Sequence, residues 1–440
     1  MIKNKQFFLI LMMLVILFFL VESGCSRSGR DEKKLKTITF WHSFTSSTLP
    51  VLEQMIVDFE KANPDIKIKA QYVPTGDALV QKLISAIQSH TVPDIAWVHA
   101  DFLDKLVEAH SICSIQELAK NDTLFWRDIL PDIFPQLLKS VTIRDTLYAL
   151  PMEATTLALL YNQDMFRKAG LDPDHPPQSH AELDSFTRIL SRDLNGDGSL
   201  DQYGFYVPVF PASGPLNLWM IMQWTPFVWQ EGGEIFYQNK PVLNSQAGIH
   251  ALNLWKKLYQ MQHFERFSMA HDMGFMSQTV GMILDGPWNL PRYKEQIHFD
   301  WAVAPLPAGK AGKATYLSGE YLVVFKKCGE KLAAWKFLQW FMKKDVQRRF
   351  AGQSGYLPVR KSLLMDEEYR KMLEDYPQQK AFHTLIEHAR GRQLPDRFRV
   401  EINQILANAI EHVVRGGQDP GISLEKAESK IYNLLDSEIK

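Results

Sequence analysis

The chain has 440 residues, of which 46% are hydrophobic and 22% are charged, and its formal net charge is -1. These values are ordinary for a globular protein, and the chain is too long for one typical core, so we expect two domains. Because no basic block follows the N-terminal segment, we expect no nucleic-acid partner.

The first 24 residues have the features of a secretory signal. Lys3 and Lys5 precede fifteen uninterrupted apolar residues, 7–21, and a small residue stands directly before Cys25. That apolar run is shorter than the roughly 20 residues that span a bilayer. The segment resembles the signal of bacterial lipoproteins, in which the cysteine is lipidated and becomes the new N-terminus. Glu22 departs from that pattern, because an aliphatic residue is usual there.

The alternatives to a lipidated Cys25 are an uncleaved membrane anchor and a plain signal peptide. Each of them places the remaining chain outside the cytoplasm and near a membrane, in the periplasm or at the cell surface. Polar residues 25–35 would then form a flexible tether.

The two cysteines that follow, Cys113 and Cys328, are too few for a disulfide framework. We expect two buried free thiols, although an oxidising compartment would allow them to pair.

The folded body opens with alternating strand and helix patterns. The predicted elements are, in order, strand 37–41, helix 49–62, strand 66–70, helix 79–88 and strand 93–98. This order predicts an α/β fold with a parallel sheet that is covered by helices. In such sheets the ligand crevice lies at the carboxyl ends of the strands, where the loops after Trp41 and Val98 would meet.

Five segments carry motifs that follow one another along the chain. They are 41–72 together with 93–95, then 148–170 (YALPMEATTLALLYNQDMFRKAG), 281–288 (GMILDGPW), 333–363 and 402–434. In this order they resemble the family 1 extracellular solute-binding proteins of bacterial ABC importers. The family includes binders of maltose, of other oligosaccharides and of glycerol phosphate.

The resemblance implies a two-lobed, periplasmic-binding-protein-like fold of type II, with the ligand cleft between the lobes. It would place lobe one at 36–150 and 304–348, and lobe two at 151–303 and 349–440. The implied function is to capture a solute and deliver it to the membrane permease of an importer. We therefore expect a monomeric binding subunit whose partners are a small solute, the permease and, through Cys25, the membrane.

No catalytic signature stands in the sequence, which lacks a GxxxxGK phosphate loop, an HExxH zinc pair, a GxSxG elbow and a CxxC pair. We therefore expect a binding protein and not an enzyme. Two alternatives stay open. A secreted glycan hydrolase would need two carboxylates roughly 5–9.5 Å apart, which the sequence does not fix. A ligand-sensing subunit would share every feature named so far.

Tryptophans in the candidate crevice loops favour a sugar as the solute, because the apolar CH faces of a pyranose pack on flat rings. The predicted aromatic contacts are Trp41, Trp219, Trp224, Trp288 and Tyr356. Trp288 ends a Gly-Pro-Trp turn at a position where the family commonly stacks a sugar. Residues 219–229 could equally form an amphipathic helix that buries its rings. The predicted core tryptophans are Trp229, Trp255, Trp335 and Trp340.

Polar contacts to sugar hydroxyls are predicted on both lobes. Asp101 and Glu153 match positions where maltose-binding-type relatives use a carboxylate, which accepts two hydrogen bonds in one plane. A surface charge and a hinge salt bridge are the respective alternatives. His42 lies on the first crevice loop and could donate to a hydroxyl, and a capping or turn role is its alternative. Gly319 and Glu320 stand where the family often has two glycines, so Glu320 is a departure that either reaches the solute or faces solvent.

A separate pattern of oxygen-bearing residues resembles a calcium loop. Its members are Asp193, Asn195, Asp197, Ser199 and Asp201, with glycine at the sixth position. The twelfth position, normally glutamate, is Gly204, so another carboxylate would have to complete a structural Ca²⁺ site. The alternative is an Asx-rich turn, because Asn-Gly and Asp-Gly form turns by themselves.

An anionic solute such as glycerol phosphate is the alternative to a sugar. Arg397 and Arg399 could clamp a phosphate with paired hydrogen bonds. Solvated surface arginines are the other interpretation of this pair.

Overall fold

The computed structural model describes residues 35–74, 77–212, 217–261, 271–393 and 395–437. The predicted signal and Cys25 lie outside these residues. Residues Thr37–Lys440 form one compact unit. Among the described helices, none combines the length and the apolar character needed to cross a membrane.

Strands in the described residues are numbered in chain order. They are β1 Lys36–His42, β2 Ile66–Tyr72, β3 Ile95–His99, β4 Thr142–Ile143, β5 Thr146–Leu147, β6 Leu150–Pro151, β7 Thr155–Thr156, β8 Ala158–Asn162, β9 Tyr203–Phe205, β10 Phe236–Tyr237, β11 Lys240–Pro241, β12 Val280–Asp285, β13 Trp301–Ala304, β14 Thr315–Ser318, β15 Glu320–Val324 and β16 Ala389–Arg390.

Helices cover the sheets and are named by their residues. The described α-helices are Leu49–Ala62, Asp77–Ser89, Leu103–Glu108, Ile115–Leu118, Pro135–Ser140, Gln163–Ala169, His180–Leu190, Asn217–Gln230, Gln246–Gln260, His271–Met276, Leu290–Gln296, Lys331–Phe341, Lys344–Ser354, Glu367–Glu374, Pro377–Thr384, Arg399–Val414 and Pro420–Asp436. Short 3₁₀ turns at Ala100–Phe102 and Pro287–Asn289 matter for the site.

Lobe one is built on a five-stranded sheet in the order β2-β1-β3-β15-β6. β1 and β3 are parallel, as the predicted α/β order implies, and all five predicted elements form within a few residues of their expected bounds. β15 joins β3 and β6 in antiparallel pairing. The sheet is therefore mixed and not purely parallel, because β15 returns from the other lobe and not through a helical crossover.

Lobe two has a four-stranded sheet in the order β13-β8-β12-β9. β8 runs antiparallel to both of its neighbours, and β9 is parallel to β12. Helices Asn217–Gln230, Gln246–Gln260 and Arg399–Val414 pack together beside this sheet. Their buried side chains and those of the sheet form the lobe-two core.

Three backbone segments connect the lobes and form the hinge. Residues 150–156 supply β6 to the five-stranded sheet and β7 to a small sheet with β14 and β16. Residues 317–322 run antiparallel beside them, with Ser318 opposite Thr155 and Tyr321 opposite Pro151. Leu357 completes the hinge by exchanging two backbone hydrogen bonds of 2.9 and 3.0 Å with Ala154.

The residue numbers that divide the lobes stay a prediction, but two contacts bear on them. β13, at the predicted return to lobe one, pairs with β8 of the four-stranded sheet, and Glu320–Val324 is the strand that rejoins the five-stranded sheet. Past residue 348, Arg349 still pairs with Asp58 of lobe one at 3.0 Å. The strand pairing therefore favours a first return of the chain to lobe one near residue 319 and not at 304.

The predicted core tryptophans are confirmed by their exposed fractions, which are 3% for Trp229, 1% for Trp255, 7% for Trp335 and 8% for Trp340. Cys113 and Cys328 are both buried and free, as expected. Residues 219–229 lie in helix Asn217–Gln230, which was one of the two alternatives for that segment.

Candidate functional site

Two glutamates lie together at the hinge. Glu153 is fully buried, and its Oε1 accepts a 2.9 Å hydrogen bond from the backbone N–H of Glu320. The Glu320 side chain faces His99, its partner across β15 and β3, with 3.6 Å between Oε1 and Nδ1. The Oε2 atoms of both glutamates are buried and have no hydrogen-bond partner among the described residues. The hinge therefore holds two carboxyl groups with unused acceptor atoms.

Gly319 allows the hinge segments to approach this closely. A Cβ atom at Gly319 would lie 2.2 Å from the carbonyl oxygen of Glu153. Any side chain there would push β15 away from the hinge, so glycine is required by packing. The predicted solute contact of Gly319 stays a prediction.

Burial sets the charge states around Glu320. Desolvation raises the pKa of Glu320 to about 8 and lowers the pKa of His99 to about 4. At neutral pH the carboxyl is therefore largely protonated and the imidazole is neutral. Their contact is not an ion pair at that pH.

We expect Glu320 to make the protein less stable as the pH rises from about 4.5 to about 8. Its pKa is higher in the folded chain than the ordinary 4.5, so the folded state holds a proton that the unfolded state has released. Glu320→Gln should therefore raise the unfolding free energy relative to wild type more at pH 8.5 than at pH 5. Denaturant titrations at both pH values test this. Glu374→Gln, at an exposed position, is the control, and equal effects of Glu320→Gln at both pH values would contradict the expectation.

Tyr356, next to Leu357 in the third hinge segment, lies near Glu320. Its ring is 6% exposed and stacks on Phe350, with 6.2 Å between centroids. Burial raises the pKa of its hydroxyl, and the nearby charges of Glu320 and Asp285 raise it further. Glu320 belongs to lobe one and Asp285 to lobe two, so Tyr356 adjoins acidic groups of both lobes. This places the predicted contact residue at the lobe junction.

Asp285 fixes the turn that carries Trp288. The fully buried carboxylate accepts 2.8 Å hydrogen bonds from the backbone N–H of Gly286 and from Nδ2 of Asn289, and it contacts the Tyr293 hydroxyl. The Trp288 ring lies directly over Gly286, where a Cβ atom would approach a ring carbon to 1.8 Å. Glycine at 286 is therefore needed for this ring position.

Trp288 and Trp219 form an aromatic pair. Their centroids are 5.3 Å apart and their planes meet at 72°, and both rings are only partly buried. On the lobe-one side, the Ser47 hydroxyl donates to the Trp288 carbonyl oxygen at 3.5 Å. The structure thus brings two predicted contacts together at a place where the lobes touch.

The Asp101 carboxylate contacts side chains of lobe two. It lies in the turn after β3, accepts a 2.9 Å hydrogen bond from Nδ2 of Asn403 and contacts the guanidinium of Arg392. The Arg392 side chain is 2% exposed, and burial lowers its pKa to about 9. Sequence reasoning missed Arg392 and Asn403, because about 300 residues separate them from Asp101 and neither stands in a local motif.

His42 and Trp224 lie in the cores of the lobes. The His42 ring is 2% exposed among Phe40, Phe44 and Tyr72, and burial lowers its pKa to about 4. The Trp224 ring is 0% exposed within the lobe-two core. Neither ring presents an open face in this structure, and the two predicted solute contacts stay predictions.

Trp41 stays at the surface of lobe one. It is partly buried, and the Nζ of Lys82 lies 4.3 Å from its ring centroid. This cation–π contact occupies one side of the ring. The predicted solute contact of Trp41 stays a prediction.

Arg399 corrects the predicted phosphate clamp. Its guanidinium is buried and donates to the carbonyl oxygens of Pro395, Ala100 and Ser140 at 2.7 to 2.9 Å. Arg397 instead lies over the adjacent Phe398 ring, 5.5 Å from its centroid. The two guanidinium groups do not converge, because that of Arg399 is hydrogen-bonded to backbone carbonyls. Arg397 and Arg399 therefore do not form the predicted phosphate clamp.

The predicted calcium loop is organised by its own backbone. Asp193 accepts hydrogen bonds from the N–H groups of Asn195, Gly196 and Gly198, and Asp197 accepts from Ser199. Asp201 accepts from the backbone N–H of Leu194 and the amide of Asn195. Within the described ranges, no group of three or more His, Cys, Asp or Glu side chains is placed to hold a metal ion. Calcium binding by this loop stays a prediction.

We expect that any calcium binding at this loop depends on Asp193. Calcium added to chelator-treated protein would raise the melting temperature, because a ligand that binds only the folded state stabilises it. Asp193→Asn should abolish that increase, and Asp174→Asn, at an exposed position, should not. Melting curves with millimolar calcium or with chelator provide the measurement. Identical wild-type curves would assign the loop to the Asx-turn alternative.

Comparison with known proteins gives one family. The family model for bacterial extracellular solute-binding proteins matches residues 54–378. The maltotriose-binding protein of Pyrococcus abyssi is 24% identical over 367 residues, which is 80% of this chain and 72% of that protein. The sn-glycerol-3-phosphate-binding periplasmic protein of Yersinia pestis is 24% identical over 346 residues, or 73% and 74% of the two chains.

A solved structure shows the same fold. The cyclic alpha-maltosyl-1,6-maltose binding protein from Arthrobacter globiformis superimposes with a TM-score of 0.74 at 24% identity. The match covers 91% of this chain and 99% of that chain. The expected two-lobed fold of type II is thereby confirmed.

Proposed function

Because the chain belongs to the bacterial extracellular solute-binding proteins, we propose that it captures a sugar between its lobes and delivers it to the permease of an ABC importer. It performs no chemistry on the sugar. The observation that carries the sugar assignment is the aromatic pair Trp288–Trp219, which lies where the lobes touch. Similarity to binders of maltotriose and of a cyclic maltosyl sugar supports it.

The physical basis is the two-sided character of a pyranose. Its CH faces pack on partly exposed indole rings such as those of Trp219 and Trp288. Its hydroxyls need acceptors, and Glu153 and Glu320 have unused carboxyl oxygens. Both lobes contribute groups, so a bound sugar favours the state in which the lobes are closed.

The anchor is a separate part of this proposal. Cys25 would carry the lipid that holds the protein, as a monomer, at the outer side of the cell membrane. The support is the apolar run before a small residue and cysteine. Cys25→Ser should release the protein into the soluble extracellular fraction, and a variant that stays bound to the membrane would contradict lipidation.

Calorimetry against neutral mono- and oligosaccharides, with sn-glycerol 3-phosphate as the anionic comparison, tests the sugar assignment. We expect binding of at least one neutral sugar and a decrease in the radius of gyration at saturation. Binding of the anionic solute alone, or turnover of any sugar, would contradict the proposal. An unchanged radius at saturation would contradict closure.

A further inference from the structure

The hinge carboxyl groups carry an inference about the class of sugar, and it rests on the proposed function. Glu153 is fully buried and Glu320 largely so, and each has an Oε2 atom without a hydrogen-bond partner among the described residues. Burying such acceptor atoms without hydrogen-bond partners costs free energy. A bound solute that donates hydrogen bonds to them removes that cost, which favours binding. The open question is whether the solute offers hydroxyl groups or a cation.

The charges around this pair are unbalanced. In the described part of the chain, His99 is the only basic group within salt-bridge distance of Glu320, and Glu153 has none. Tyr356 adjoins Glu320 and also Asp285, a third acidic side chain, which accepts hydrogen bonds within its own turn. The buried Arg392 contacts Asp101 and forms no ion pair with Glu153 or Glu320 among the described residues. Within salt-bridge distance of Glu153 and Glu320, carboxyl groups thus outnumber basic groups in the described residues.

We propose that the solute carries a protonated amino group, which Glu153 and Glu320 hold at the hinge, so that the ligand is an amino sugar. The ammonium would supply up to three donors to the two unused Oε2 atoms. Charge-assisted hydrogen bonds of this kind are about twice as strong as neutral ones. The sugar ring would pack on the pair Trp219–Trp288 as in the proposed function.

Proton release accompanies this binding. Glu320 holds a proton at neutral pH because burial raises its pKa to about 8. His99 stays neutral, since burial lowers its pKa to about 4. An arriving ammonium stabilises the carboxylate of Glu320, and the carboxyl proton passes to the buffer. A neutral sugar leaves that proton in place.

Calorimetry at pH 6.5 in two buffers of different ionisation enthalpy provides the test. The probes are glucosamine and its β-1,4-linked disaccharide, with glucose, cellobiose and N-acetylglucosamine as neutral counterparts. We expect the amino sugars to bind roughly 10- to 100-fold more tightly than the neutral ones. We also expect a heat that depends on the buffer for the amino sugars alone.

Two isosteric variants locate the effect. Glu320→Gln and Glu153→Gln should each remove most of the preference for the amino sugar over its neutral counterpart. Glu374→Gln, at an exposed position, should keep the preference. A melting curve for each variant shows that it is folded, and Glu320→Gln serves alone if Glu153→Gln does not fold.

The outcomes separate this inference from the proposed function. Neutral sugars that bind as tightly as amino sugars, or a preference that survives Glu320→Gln, would overturn the inference and leave the proposed function standing. Failure of every sugar would overturn both. Stabilisation by calcium or magnesium alone, lost in Glu320→Gln, would assign the carboxyl pair to a metal ion and also overturn the inference.

Discussion

Arg399→Met should lower the unfolding free energy by roughly 3–5 kcal/mol, the cost typical of breaking a buried charged network. Arg399 begins the long helix Arg399–Val414, and its guanidinium satisfies the carbonyl oxygens of Ala100 and Ser140 on lobe one. The carboxylate of Asp104 accepts the Arg399 backbone N–H at 2.9 Å and is 0% exposed. Methionine would leave these carbonyls without donors and Asp104 without its nearby positive charge.

Chemical denaturation followed by circular dichroism measures this loss. Arg397→Met is the matched control, because Arg397 lies two residues away and its guanidinium rests on the Phe398 ring. A surface change of that kind should stay within about 0.5 kcal/mol of wild type. If Arg399→Met were equally neutral, the buried hydrogen bonds to Ala100 and Ser140 would not hold the lobes together.

Trp224→Ala and Trp288→Ala should separate stability from binding. Trp224 is fully buried in the lobe-two core, so its truncation should cost roughly 3–5 kcal/mol of unfolding free energy. Trp288 is partly exposed beside Trp219, so its truncation should leave the fold largely intact. It should instead cost roughly 1–3 kcal/mol of sugar binding, because a stacked ring is lost.

Melting temperature and sugar affinity are measured on the same preparation of each variant. Trp288→Phe, which keeps a flat ring, should recover part of the lost affinity. A large loss of stability with unchanged affinity in Trp288→Ala would assign that ring to the core. The proposed function would then lose the observation that carries it.

The local architecture was determined by the sequence, because its signals are local. Apolar residues at helical spacing in 49–62 and alternation in 37–41 predicted a helix and a strand that the structure contains. The buried positions of Trp255 and Trp335 followed from the same periodicity. The ordered motifs implied the two-lobed fold, which the structural comparison confirms.

The arrangement of the site was decided by the tertiary structure alone. Glu153 meets Glu320 across 167 residues, and Asp101 meets Asn403 across 302. No periodicity relates residues so far apart, because their contact depends on how two lobes fold back on a shared hinge. Arg399 shows the consequence most clearly. The sequence favoured a solvent-facing or phosphate-binding group, but the side chain is buried. Its guanidinium donates to backbone carbonyls of Ala100 and Ser140 on lobe one and of Pro395 on its own lobe.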